Sequence, residues 1–338
     1  MRPMVVKLGR KGYVTAIALL ALAVLPPIAL ALDQDFYVDM FTRIMIFAIA
    51  AVSLDLILGY GGMVSFGHAA YLGIGSYAVG ILSYYGFGDG FLHFGVAIAA
   101  AALVALLVGW VSLRTSGVYF IMITLAFGQM IYFLGESINQ YGGDNGLNIS
   151  QHSDFAGLLD LDDSTTLYYF VFAWLALCLG VGWRLVNSRF GMVIQGAKSN
   201  ERRMLALGFK SFRYKLVAFA ISGAMAGVAG ALLANLTLFL SPNIMHWTRS
   251  GEIMMMVILG GMGSLIGPVV GAVVYLVFEN LLSGFTEHWQ AILGPFLVLV
   301  VLFSKSGLLG AVGVRQRPSS PPTASNPTAS TPAASNHA

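Results

Sequence analysis

Between residues 191 and 208 the chain reads GMVIQGAKSNERRMLALG, which nearly sets out a loop for nucleotide phosphates. Such a loop needs two glycines five apart followed at once by Lys and then Ser or Thr, so that backbone N–H groups and an ammonium meet the phosphates. Gly191 and Gly196 have the spacing, but Ala197 intrudes before Lys198 and Ser199. A genuine loop also follows a buried β-strand, whereas an apolar run ending at Arg184 precedes this one. The chain is therefore expected to carry no ATP site of its own.

A second group of polar residues lies inside apolar sequence. The stretch SLDLILGYGGMVSFGHAAYLGIGSYAVGIL, residues 53 to 82, carries Asp55, Ser65, His68 and Tyr71 among many glycines. In GVYFIMITLAFGQMIYFLGE, residues 117 to 136, Thr124, Gln129 and Tyr132 interrupt a greasy helix. At membrane depth an unsatisfied polar group costs several kcal/mol, so these residues either mark a translocation path or tie neighbouring helices by hydrogen bonds. Both readings stand for Ser65, His68, Tyr71, Thr124 and Gln129. Asp55, near the inner end of its run, is expected to pair structurally and could reach Arg114. Gly67 and Gly73 are expected at close helix contacts, and Gly59 to Gly62 at a broken or re-entrant connection. No nucleophile–base pair and no metal-ligand cluster is visible, so neither an enzyme nor a metal site is expected. Cys178 is the single cysteine, which excludes an intrachain disulfide.

The elements that must position these residues follow from composition. Of 338 residues, 57% are hydrophobic and only 10% charged, against about 25% charged in an ordinary soluble domain. Apolar runs long enough to cross about 30 Å of hydrocarbon follow one another along the chain. The expected fold is an all-α polytopic membrane protein with about ten spans, some short or broken, near 13–32, 42–58, 66–85, 91–113, 118–135, 167–186, 214–238, 250–260, 265–283 and 288–304. The first run resembles a signal peptide, but its length favours a retained span. The GGMGS that opens residues 260 to 280 repeats GGMVS at residues 61 to 65 with one mismatch, a hint of internal duplication.

Two long connections have opposite charge. Residues 136–166 hold Glu136, Asp144, Asp154, Asp160, Asp162 and Asp163 and no Lys or Arg. Residues 184–215 hold eight Lys or Arg against Glu201 alone. The positive-inside rule makes the second connection cytoplasmic and the first periplasmic. Both the basic N-terminus, residues 1–12, and the tail then fall in the cytoplasm, which an even number of spans requires. The domains expected are thus that N-terminus, an integral permease domain over 13–305 with a periplasmic loop at 136–166 and a cytoplasmic loop at 187–213, and a tail over 306–338. The tail, rich in Pro, Ser, Thr and Ala, is expected to be disordered.

Within the basic connection, Asn200 to Gly208 reads as a short amphipathic helix ended by Gly208. It could lie on anionic lipid heads or dock on a cytoplasmic partner. Here the chain resembles the LivM-type permease subunits of the branched-chain amino acid ABC importers. The resemblance is carried by LGYGGMVSFGHAAYLGIGSYA, LRTSGVYFIMITLAFGQMIY, YGGDNGL, SRFGMVIQGAKSNERRMLALGFKSFRYKLVAFAISGAMAGVAGAL and ILGGMGSLIGPVVGA, in order over about residues 43 to 305.

The resemblance implies an ABC importer permease in the bacterial inner membrane that moves branched-chain or similar small apolar amino acids inward. ATP and magnesium would be held by separate subunits. Its implied partners are a second, LivH-like permease, two ATP-binding subunits and a periplasmic amino-acid-binding protein, with no nucleic acid. Coupling to the ATPase falls to Asn200, Glu201, Arg202, Arg203, Leu205 and Gly208, and contact with the binding protein to Asp144 and Asn145. Import of urea or an amide is the nearest alternative, and a proton-coupled secondary transporter using Asp55 or His68 comes from another class.

Overall fold

The computed structural model describes residues 35–149, 151–155, 157, 160–285, 288, 291–295 and 298. The expected N-terminal segments at 1–12 and 13–32, most of the span at 288–304 and the tail at 306–338 lie outside them. Among the described residues, five helices are long and apolar enough to cross a membrane. They are α1 (Asp35–Asp55), extended by a π-turn over Leu56–Tyr60, then α3 (Gly90–Ser112), α4 (Val118–Ser137), α5 (Ser164–Val186) and α8 (Ser211–Thr237). Three shorter apolar helices complete the bundle: α2 (His68–Tyr84), α9 (Trp247–Gly260) and α10 (Gly267–Ser283). Two more, α6 (Arg189–Ser199) and α7 (Glu201–Ala206), fill the basic connection. The only strands among the described residues are β1 (Leu147–Asn148) and β2 (Phe239–Leu240), paired antiparallel.

Burial separates centre from rim. The membrane window of α1 is 89% buried and that of α8 is 72%, whereas those of α3, α4 and α5 are 33%, 17% and 28%. The rim helices therefore leave apolar faces for lipid or for another chain. What brings the central helices together is small residues, because lipid offers apolar side chains no advantage in leaving it. Gly223 and Gly227 of α8 lie against Ala97, Ala101 and Ala105 of α3, all at four-residue spacing. Gly75 of α2 meets the backbone of Gly227, Gly230 meets that of Leu72, and Ser76 Oγ donates to the Gly230 carbonyl at 2.7 Å.

The two charged connections lie at opposite ends. At the acidic end, Gly90 N donates to the Asp154 carbonyl, His93 Nδ1 bonds Ser153 Oγ, and Ser153 N donates to Asn235 Oδ1. These bonds gather the start of α3 and the end of α8. At the basic end, α6 packs against the π-turn of α1, and α7 packs against α6 and α8.

Two expectations change in detail. Residues 250–260 were expected to span by themselves, but α9 has 14 residues, about 21 Å at 1.5 Å per residue, and cannot cross alone. The chain reaches it through a 3-10 turn, Pro242–Met245, which is tucked so deep that Met245 covers Gly73 of α2. Asp55 does not pair with Arg114, which stacks over the Trp110 ring at 4.5 Å. Instead Asp55 Oδ1 accepts from Gly263 N at 2.8 Å. The helix expected from Asn200 to Gly208 is present as the short α7, capped by Asn200, and α6 precedes it.

Candidate functional site

Two reversals at the basic end organise the site. In the first, α1 passes into its π-turn and residues 61–67 lead back into the membrane to start α2. In the second, α9 ends at Gly260 and residues 261–266 lead to α10. The repeated GGM sequence falls at the same place in both, and its second glycine is left-handed in both: Gly62 has φ +70° and Gly261 φ +111°. A side chain other than glycine is strained there. Asp55 joins the two reversals through Gly263. Gly59 leaves room for that bond, since a Cβ on it would fall on the Asp55 carboxylate and on Gly263 N.

The basic connection touches this junction directly. Lys198, in the last turn of α6, donates from Nζ to the Gly59 carbonyl at 2.5 Å, and its aliphatic stem packs over Gly62. Asn200 separates α6 from α7 and caps α7 by accepting from Arg203 N at 2.9 Å. Glu201 pairs with Lys215 of α8 at 2.8 Å. Arg202, Arg203 and Leu205 are exposed, and Gly208, with φ +86°, ends the turn. The near-miss phosphate glycines have packing roles: Gly191 lies against the Leu185 and Val186 carbonyls, and Gly196 against Met204.

The polar residues inside the spans lie deep. His68 Nε2 bonds Ser53 Oγ at 2.8 Å, and the His68 ring meets Tyr71 edge-on, which in turn meets Phe219. Among the described residues, Ser65 Oγ and His68 Nδ1 are buried without a hydrogen-bond partner. Thr124 Oγ1 accepts from Phe66 N at 3.3 Å and donates to the Ile121 carbonyl. Gln129 Nε2 is likewise buried and has no hydrogen-bond partner among the described residues. The structure thus brings Ser65, His68, Tyr71 and Thr124 together around the start of α2, with Gln129 a turn further along α4. Gly67 sits where a Cβ would press on the Thr124 carbonyl, and Gly73 where it would meet Met245. Asp144 and Asn145 are exposed in a 3-10 turn of the acidic connection.

One feature escaped the sequence. A cavity of about 220 Å³ lies toward the acidic end, lined by Arg43 and Phe47 of α1, Leu72, Leu233, Asn243 and Arg249 among others. None of the five polar candidates lines it. Two of its lining residues are charged, and each has an acidic partner outside the lining: Arg43 is 4.0 Å from Glu279 of α10, and Arg249 is 2.7 Å from Glu252 within α9. Single charges at the edges of apolar runs were the available signal. Their association was not, because Arg43 and Glu279 lie at opposite ends of the described chain.

Comparison with known proteins agrees with this architecture. The family described as branched-chain amino acid transport system, permease component, matches residues 36–303. The chain is 31% identical over 317 residues to the high-affinity branched-chain amino acid transport system permease protein LivM of Escherichia coli, covering 87% of this chain and 74% of that one. It is 25% identical to LivH of the same system, covering 78% and 91%. The autoinducer 2 import system permease protein LsrC of Yersinia pseudotuberculosis is 27% identical, covering 67% and 68%. No solved structure gives a significant match. A bundle of buried small-residue seams, two glycine reversals and a family match over most of its length lead to one conclusion: this multi-pass membrane protein belongs to the family of branched-chain amino acid transport permeases.

Proposed function

We propose that the chain is one of two permease subunits of an ABC importer in the bacterial inner membrane, passing branched-chain amino acids inward. ATP is hydrolysed by separate subunits that dock on α7, and cargo arrives from a periplasmic binding protein at the acidic end, where Asp144 and Asn145 are the candidate contacts. The observation that carries this reading is the Lys198–Gly59 bond. It links the helix next to α7 to the π-turn that holds the two reversals, so a push on α7 has a mechanical route into the spans. Glu201–Lys215 provides a second route, into α8.

Substrate class comes from the two relatives named for branched-chain amino acids, LivM and LivH, while LsrC is named for a different cargo. In this reading Ser65, His68, Tyr71, Thr124 and Gln129 belong to the translocation path at the start of α2 and its contact with α4, and the buried groups of Ser65, His68 and Gln129 that have no partner among the described residues are available to water or cargo when that contact opens. Affinity purification of the tagged chain tests the assembly. Recovery with a LivH-like permease and an ATPase whose rate rises with liganded binding protein is expected. Recovery of a stable, transport-competent chain free of any ATPase overturns it.

A further inference from the structure

The two arginines that line the cavity and the glutamates paired with them are costly where they stand. Arg43 lies eight residues inside α1, about 12 Å from its end, and charged side chains at such depth mark pathways or pair with one another. Here they remain partly open: the side chains of Arg43 and Arg249 are 47% and 37% exposed on this chain, and those of Glu279 and Glu252 are 18% and 20%. The two pairs form one cluster. Glu279 lies within electrostatic reach of Arg43, Glu252 and Arg249, and the buried Tyr275 faces Glu252, Glu279 and Arg249. Two guanidinium groups and two carboxylates leave no net charge.

A neutral but strongly dipolar cluster beside an apolar hollow matches a zwitterion with an aliphatic side chain. Guanidinium groups bind a carboxylate through paired N–H donors, and carboxylates accept from an ammonium. Phe47, Leu72, Leu233 and Ile253 supply the apolar wall. We propose that Arg43, Arg249, Glu252 and Glu279 form a polar station at the mouth of this cavity, where the guanidinium groups take the α-carboxylate and the carboxylates take the α-ammonium of an amino acid in transit. The station rests on the transport reading and adds to it a site and the groups recognised. It also explains why α9 is short: the 3-10 turn before it places Asn243 and Ile244 in the cavity wall and Arg249 at its mouth.

Two measurements on the assembled complex test it. In proteoliposomes, Arg249→Gln and Glu279→Gln are expected to lower leucine uptake per ATP hydrolysed at least tenfold, while subunit recovery and ATPase stimulation by liganded binding protein stay unchanged. Arg249→Lys is expected to retain part of the uptake. Unchanged uptake per ATP, or loss of subunit recovery in step with uptake, overturns the station in favour of a structural ion-pair cluster. In a Cys178→Ser background, Asn243→Cys is expected to react with a charged, membrane-impermeant thiosulfonate, and more slowly with excess leucine present. Reaction with an apolar maleimide alone places the cavity against lipid and overturns the station. Should the wild-type complex take up no leucine while that protection by leucine is seen, the transport reading fails and the station stands.

Discussion

Lys198 and Gly59 are joined by a 2.5 Å hydrogen bond from the ammonium to the main-chain carbonyl, across 139 residues of sequence. This bond connects the basic connection to the π-turn that anchors both glycine reversals. A π-turn is a local departure from helical pairing found often at functional sites, and a charged donor on its carbonyl fixes it to α6.

Lys198→Met keeps most of the stem that packs on Gly62 and removes the donor. A hydrogen bond to a charged group contributes about 1.5–3 kcal/mol, so the variant is expected to melt several degrees lower in detergent. Uptake should fall while ATPase activity persists, since the ATPase is no longer tied to the spans. Equal loss of both activities contradicts this role.

The exposed face of α7 provides a cleaner test of docking than Glu201, whose reversal would also oppose Lys215. Arg202→Glu with Leu205→Asp removes no side-chain hydrogen bond or ion pair among the described residues, since both side chains are exposed. Insertion and melting should be unchanged, and recovery of the ATP-binding subunit should drop more than tenfold. Undiminished recovery would falsify the docking assignment.

Packing at α2 predicts a contrast among glycines. Gly67→Val drives a side chain into the Thr124 carbonyl, and Gly73→Val drives one into Met245. Each is expected to cost about 1–3 kcal/mol, the usual range for overpacking. Gly95→Ala in α3 meets open space and should not destabilise. Thermal melting of the three variants side by side decides the matter.

At the start of α5, Asp163 caps the helix. The Thr166 hydroxyl donates to its carboxylate, as do the backbone N–H groups of Thr165 and Thr166, and these bonds hold its carboxyl below the usual aspartate range. With the folded value depressed, the cap contributes above the unfolded value of 3.8 and is lost as pH falls through the folded one. Asp163→Asn should flatten this acid dependence and keep most of the cap. Asp163→Ala should cost about 0.5–2 kcal/mol at neutral pH. A melting curve that does not change below pH 4 in the wild type, relative to Asp163→Asn, contradicts the cap.

Much of the bundle was legible because the bilayer imposes length. The runs at 91–113, 118–135 and 167–186 match α3, α4 and α5 within a few residues. The short GGM repeat was legible too, since only glycine accepts the backbone of Gly62 and Gly261. What composition does not reveal is pairing between distant segments. Asp55 finds a backbone N–H 208 residues away, so the nearer Arg114 was the natural guess. The Arg43–Glu279 and Arg249–Glu252 pairs are hidden for the same reason: each charge alone reads as the edge of a span, and only the fold pairs them and sets both arginines in one cavity wall.

The central claim is tested most directly by uptake of radiolabelled leucine into proteoliposomes holding this chain, its sister permease and the ATP-binding subunits. ATP, binding protein and each subunit are withheld in turn, with urea as competitor. The account predicts uptake that requires every component and is not reduced by urea. Leucine uptake driven by a proton gradient with no ATPase present would contradict it.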